Sequence, residues 1–515
     1  MADELVVSRA HPAGERSARG LEPVPDHLTV DSFAGKICVQ WAPEEAVTPL
    51  GQLPFFIDFL KQSDLFEQLV REAPLRYTSP NAPRPRDVLG TLVLSMVAGG
   101  RRYAHVNALR YDGVNPELLG MKRVCSDDSV RRAVARMEAG EAEGWLCRQL
   151  EYVWRPLLQR DWILDVDTTV KPLYGRQEGA EVGYNPHKRG RPSQVIHVYE
   201  MGTTRLVLEA EVVAGKQHHS QYGLPGLERL LERLGERERP VLVRGDCGYG
   251  TERVMEALEE RGQDYLFKLP MRPRVKELVQ RLAGEGGWRE AGQGWECAEA
   301  ELQLLGWTRA RRVLVVRRKL GGKRRRKALA RQQPLLPFAE VIVQERQRYE
   351  YGVLVTSRQE EGLTLAQLYR ERGDAENALD ELKNQWGWGG FVTQDLKRTA
   401  LMARLNALVY NWWSLYVRMI EPEARREAQT SRPQMMDGVA RVTQHGRQKR
   451  LILTIAHSAA GGMRAAFVAM TRFLREVQNA PQLTAIERWC RILGYALRKY
   501  FRGQVPDPPP GLLPA

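Results

Sequence analysis

Apolar and polar residues change their spacing several times along the chain, and each change predicts a different kind of element. LPFFIDFLKQSDLFEQLVREA, from Leu53 to Ala73, repeats its apolar residues at helical spacing, and PRPRDVLGTLVLSMVAGG reads as a buried helix started by proline. In CSDDSVRRAVARM a cap at Ser126 or Asp127 precedes a basic helix carrying Arg131 and Arg132. From Asp161 the period shortens. WILDVDTTV, VIHVYEM and RLVLEAEVVAG are three strands in succession; helices and strands then alternate through LPGLERLLERLGE, PVLVRGDCGYG, TERVMEALEERG and DYLFKL. That order predicts an α/β fold built on a mixed sheet with both faces covered. After Pro270 the alternation gives way to short strands, WRE, WECAEAELQLLGW, VLVVRR and AEVIVQ, before YEYGVLVTS resumes the α/β pattern. TALMARLNALVYNWWSLYVRMI is a long apolar-faced helix, and a small basic hairpin and two amphipathic helices follow it.

The boundaries expected from these changes are a loose tail over 1–32, a helical region over 33–155, and the first part of the α/β core over 156–270. A β-rich basic insertion over 271–347 follows, then the second part of the core over 348–420 and a C-terminal hairpin with helices over 421–515.

Composition narrows the classes. Hydrophobic residues make up 43% of the chain and Trp numbers 12, as in a globular protein. No apolar run of about 18 residues occurs, so no membrane span is expected. The polar start MADELVVSRAHPAGERSARG lacks a secretory pattern, and a cytoplasmic location is expected. The cysteines, Cys38, Cys125, Cys147, Cys247, Cys297 and Cys490, are too scattered to suggest zinc. A formal charge of +14 points to a polyanionic partner, because cations that neutralise phosphates release condensed counterions. The charge concentrates in RARRVLVVRRKLGGKRRRKALAR, where Arg324 and Arg325 follow a Gly321-Gly322 turn; the stretch is either a solvated basic loop or a hairpin that grips phosphates. The Arg131/Arg132 helix is either an ordinary surface helix or the second helix of a helix-turn-helix.

Chemistry enters with YRERGDAENALDELK. On a helix advancing about 100° per residue, Tyr369, Arg372, Glu376 and Lys383 fall within roughly 60° of one another. Such a face is either a solvated one with an Arg372–Glu376 pair or a site. Two distant acids favour the site: Asp167 ends the first core strand, and Asp246 ends the fourth between Gly245 and Gly248. Carboxyl ends of strands in open α/β sheets face the ligand crevice. Three converging carboxylates can hold two Mg²⁺ ions, with Mn²⁺ as a substitute. Asp165 points to the same side as Asp167 but lies deeper in the strand.

The ordered spacing Tyr369-x2-Arg372-x3-Glu376-x6-Lys383, together with DVDTT and VRGDCGYG, resembles the Y-R-E-K signature of bacterial cut-and-paste DDE transposases. GAEVGYNPHKRGRPSQ is similar to the branch typified by insertion sequence thirteen-eighty. The resemblance covers roughly residues 85–455. It implies a ribonuclease H-like core with a β-rich insertion, and Asp167, Asp246 and Glu376 as catalytic metal ligands. It also implies that Tyr369, Arg372 and Lys383 hold DNA phosphates, and that an inserted Trp, here Trp295 or Trp307 with Trp288 behind them, stacks on a flipped base. Lys188, Arg189 and Arg191 in YNPHKRGRPS are further candidate DNA contacts, or a solvated loop. The expected partners are double-stranded DNA, as terminal inverted repeats and as target, and a second copy of the chain in the DNA complex. The rival readings are a metal-dependent nuclease without strand transfer and a non-catalytic DNA-binding derivative.

Overall fold

The computed structural model describes residues 27–40, 45–77, 79–185, 188–217, 219–320, 340–343, 348–391, 393–423, 425–446, 448–454 and 460–509. β1 (His27–Ser32) and β2 (Gly35–Gln40) form an antiparallel hairpin, so the loose tail expected over 1–32 ends in a strand; residues 1–26 lie outside the described residues. β3 (Val47–Thr48) pairs with β14 (Val439–His445), which pairs with β15 (Gln448–Thr454). The two ends of the chain therefore share a body. Phe55 on helix Leu53–Gln62 stacks on Phe467 of helix Ala460–Gln478 with ring centroids 4.3 Å apart.

The core is one ten-stranded mixed sheet. β4 (Ile163–Pro172), β5 (Ser193–Met201) and β6 (Val207–Ala214) are antiparallel neighbours, while β7 (Leu242–Gly245) and β8 (Tyr265–Lys268) run parallel to β4 on its other side. All nine residues of β5 are buried, His197 and Glu200 included, as befits a strand covered on both faces. Helix Leu396–Ile420 is apolar on nearly every side and lies against β6. Its Asn411 side chain accepts from Val207 N at 2.9 Å and donates to Val207 O at 2.8 Å, satisfying backbone groups on the sheet's edge strand.

The segment expected as a separate β-rich insertion extends this same sheet. β9 (Arg289–Glu290), β10 (Trp295–Leu302), β11 (Arg311–Lys319) and β12 (Glu340–Val343) join through β13 (Arg348–Thr356), which pairs with β8 on one side and β11 on the other. The reason is visible in β11: Val313 to Val316 are all buried, and such a run needs cover on both faces and neighbours on both edges. A helix, Pro273–Glu285, also occupies the start of the segment.

Candidate active site

β4 and β7 pair only as far as Val166 with Gly245. Asp167 and Asp246 are the next residue on each strand. β4 itself continues to Pro172, so Asp167 sits where its β7 neighbour ends and not at the end of its own strand as the sequence suggested. Gly245 has a steric reason to lack a side chain: a Cβ there would stand 2.9 Å from Val166 Cγ2 and 3.1 Å from Phe267 Cδ1. Asp246 Oδ1 accepts from Gly248 N at 2.9 Å, which turns the chain away at the strand end.

The third acid arrives on a broken helix. The sequence predicts one helix from Tyr369 to Lys383, but the chain forms two, Gly362–Glu371 and Gly373–Gln385, joined at Arg372. Around the joint, Arg372 N donates to Tyr369 O at 3.1 Å and Ala375 N to Arg372 O at 2.8 Å, the shorter i to i+3 pattern. Gly373 opens the second helix, and its bare backbone lowers the preference for a continuous helix through this point. Across the break the one-sided arrangement survives. Tyr369, Arg372, Glu376 and Lys383 line a cleft of about 320 Å³ together with Asp167 and Asp246.

Arg372 is buried and donates to Asp167 Oδ2 at 2.5 Å, with Glu376 Oε1 3.9 Å from its other terminal nitrogen. Asp167 Oδ1 accepts from Thr168 N at 2.7 Å. Burial raises the Asp167 carboxyl to about 7; Arg372 opposes the rise, and Asp246 and Glu376 add to it. Burial likewise raises Glu376, against the pull of Arg372 and Lys268. Tyr369 is buried, its hydroxyl 3.5 Å from Gly245 O.

Such carboxylates, repelling one another in a half-dry cleft, are an oxygen donor set suited to a hard divalent cation. In the arrangement seen, Arg372 holds Asp167 Oδ2, and among the described residues no three His, Cys, Asp or Glu groups close on a common ion. The donor chemistry fits; closure requires Arg372 or the Glu376 helix to move.

The cleft also contains Lys268, Cys247 and Asp380, which the sequence did not single out. Lys268 ends β8 beside Asp246, so the strand-end rule that found Asp246 would have found it. Asp380 lies one turn beyond Glu376.

Other candidates fall elsewhere. Arg324 and Arg325 lie outside the described residues. The described arginines of the same basic stretch are spent on acids: Arg311 on Glu252 and Glu259, Arg312 on Glu299, Arg317 on Glu296, Arg318 on Glu350. Arg317 and Arg318 face those acids in strand register, which sequence alone does not disclose. Trp295 and Trp307 are 2% and 9% exposed, with Arg318 and Arg311 over their rings, so neither offers a free face to a base. Trp288 is partly buried beneath Arg317 at 3.8 Å. Lys188, Arg189 and Arg191 are exposed, and Lys188 and Arg191 stand over Tyr174 at 5.0 and 4.8 Å. Helix Asp127–Arg136, capped by Ser126, exposes Arg131 and Arg132, the former over Tyr103 at 5.1 Å.

Oxygen donors for a divalent cation beside cations for phosphate are the equipment of an enzyme that works on phosphodiesters. Residues 73–475 match the model of the family described as transposase DDE domain group 1, and the chain belongs to that family. DDE transposases act on DNA and in general use divalent metal ions. No curated protein matches the sequence. Among solved structures, the chain is similar to that described as the cryo-EM structure of the piggyBac transposase synaptic complex with hairpin DNA, at TM-score 0.39 and 13% identity, over 91% of this chain and 89% of that one. Among the described residues no helix is long and apolar enough to cross a membrane.

Proposed function

We propose that the chain is a cut-and-paste transposase acting on the terminal inverted repeats of its own element, with Asp167, Asp246 and Glu376 as its metal-binding catalytic acids. The observation that carries this reading is that these three acids, from distant stretches of a DDE-family chain, line one cleft with Tyr369, Arg372 and Lys383. The order β6–β5–β4–β7–β8, three antiparallel strands followed by two parallel ones, supports a ribonuclease H-like core. The Y-R-E-K spacing supports the insertion sequence thirteen-eighty branch.

Bound at the acids, two divalent cations, Mg²⁺ or Mn²⁺, would activate the attacking oxygen and stabilise the leaving one. The chain's own residues do the rest by position and charge. Lys383 and Lys268, which line the cleft, meet phosphate oxygens of the bound strand. Arg372, released from Asp167, turns its guanidinium to the phosphate, and Tyr369 at the cleft floor holds the segment against Gly245. Water cleaves the phosphodiester at the element end to free a 3′-hydroxyl; this attacks the phosphodiester of the opposite strand, closing a hairpin on the element and leaving a 3′-hydroxyl on the flanking DNA. A second water hydrolyses the hairpin and returns the element's 3′-hydroxyl, which joins target DNA by displacing a 3′-hydroxyl of the cut target strand. Two ends must be held at once, so a homodimer on DNA follows.

The test is incubation of the protein, Mg²⁺ and element-end DNA with a target plasmid. Joined products are expected, and Asp246→Ala should lower them by on the order of 10³-fold. Ends that are cut and never joined would replace this reading with the nuclease one, and unchanged cleavage in Asp246→Ala would show the site to be misplaced.

A further inference from the structure

Two residues before each strand-borne acid, on the same side of the sheet, sits a residue of a buried ionic cluster. Asp165 precedes Asp167 on β4, and Arg244 precedes Asp246 at the end of β7. Arg244 grips Asp165 with both arms of its fork, Nε to Oδ1 at 2.7 Å and Nη2 to Oδ2 at 2.8 Å. Arg205, from the turn between β5 and β6, adds a bond to Oδ2 at 2.7 Å. All three side chains are nearly inaccessible to solvent. The remaining donors leave the sheet: Arg244 Nη1 goes to Leu368 O, and Arg205 Nη2 to Glu371 O at 2.6 Å. Those carbonyls belong to the last turn of helix Gly362–Glu371, whose acceptors have no partner within the helix. Arg205 takes up a left-handed backbone, φ 58°, to reach them, and Tyr410 donates to its carbonyl at 2.9 Å.

We propose that Asp165, Arg205 and Arg244 are positioning residues, a clamp that fixes the Tyr369–Glu376 segment relative to Asp167 and Asp246. Two buried guanidinium groups on one carboxylate are a costly way to fill a core, and apolar residues would fill it more cheaply. What the arrangement adds is a connection between the two acid-bearing strands and the helix that leads directly into the one carrying Glu376. It also explains why the helix breaks where it does: the last turn is held to the sheet, and Arg372 is the first residue beyond the hold. The proposal rests on the catalytic reading of those acids, and its test separates the two.

Arg205→Met keeps the stem and removes the donors. Arg404→Met, which breaks an equally buried pair with Glu209 at 2.7 Å away from the cleft, is the control. In full-length protein, hydrogen exchange over Leu368–Ala378 should quicken by about tenfold in Arg205→Met and stay unchanged in Arg404→Met. With element-end DNA, kcat should fall by at least about tenfold in Arg205→Met alone, KM for DNA staying within about twofold. Arg205→Lys, whose single nitrogen replaces the two that separately reach Asp165 and Glu371, should show the same two effects if the Met variant does not fold. Exchange that is unchanged at that segment, or raised alike in both proteins, overturns the clamp, as does a kcat loss shared with Arg404→Met. Wild-type protein that cuts no DNA would sink the transposase reading, while the exchange result would still decide the clamp.

Discussion

Metal uptake by the cleft should depend on pH in a direction and over a range that Asp167 dictates. Its carboxyl is raised from 3.8 to about 7 by burial, with Asp246 and Glu376 adding to what Arg372 fails to cancel. A cation binds the ionised form, so below pH 7 uptake must displace a proton. One such proton weakens apparent affinity about tenfold at pH 6 and about a hundredfold at pH 5 relative to the plateau above about pH 8. The metal-free protein shows the reverse of the same linkage. An acid with a raised folded value contributes stability that is complete below pH 3.8 and lost as pH rises through about 7. The assay is calorimetric titration of Mn²⁺ into the full-length protein at pH 5.5, 6.5, 7.5 and 8.5, with Asp167→Asn beside it. The wild type should tighten through the first three and level off; the variant should bind weakly throughout. A dissociation constant independent of pH, or an Asn variant that follows the wild-type curve, would refute the assignment of Asp167 as a ligand held protonated by its burial.

Three further outcomes are expected. Glu200 is buried with its carboxyl raised to about 8 by desolvation, so stability is lost as pH climbs from 4.5 through that value, and Glu200→Gln should gain roughly 2–4 kcal/mol over wild type at pH 7.5 and little at pH 5. Urea titrations at the two pH values check it; an equal difference at both would sink it. Gly373→Ala, into open space, should stabilise the chain by about 0.4–1 kcal/mol and slow cleavage by stiffening the joint at Arg372; melting curves paired with single-turnover rates would show one without the other if the joint need not move. Replacing Lys188, Arg189 and Arg191 with Ala should flatten the slope of log affinity against log salt by about 0.9 for each phosphate that is no longer neutralised, and an unchanged slope would return the loop to solvent.

What the sequence disclosed about the site follows from which features are local. A strand ending in Asp-Cys-Gly and a helix face at regular spacing are written in neighbouring residues, and Asp167, Asp246, Glu376 and the three helix-borne DNA candidates do share a cleft. Strand pairing is not local. Nothing in VLVVRR says that its neighbours are WECAEAEL and YEYGVLVT, so the insertion looked separable and its arginines looked available for phosphate. The same limit hid Asp165, which the sequence offered only as a rival to Asp167. Its partners, Arg205 and Arg244, lie 40 and 79 residues away. The helix break was legible in part: Gly373 carries a known cost, and only the buried Arg372 turned to Asp167 shows that the chain yields to it.

The continuity of the sheet through β13 bears on any attempt to redesign target choice by exchanging parts between related enzymes. A segment bounded at 271 and 347 is not a removable module, for lifting it out would strip β11 from β13 along seven paired residues and leave a bare hydrophobic edge adjoining the strand that carries Lys268. A workable chimaera would have to take β13 with the insertion and cut instead between β8 and helix Pro273–Glu285 on one side and beyond Thr356 on the other. The graft would then have to rebuild the three-residue pairing of β13 with β8, the ion pairs of Arg311 with Glu252 and Glu259, and the bond from Arg370 to Ala291 O, the seams on which recipient and donor must agree.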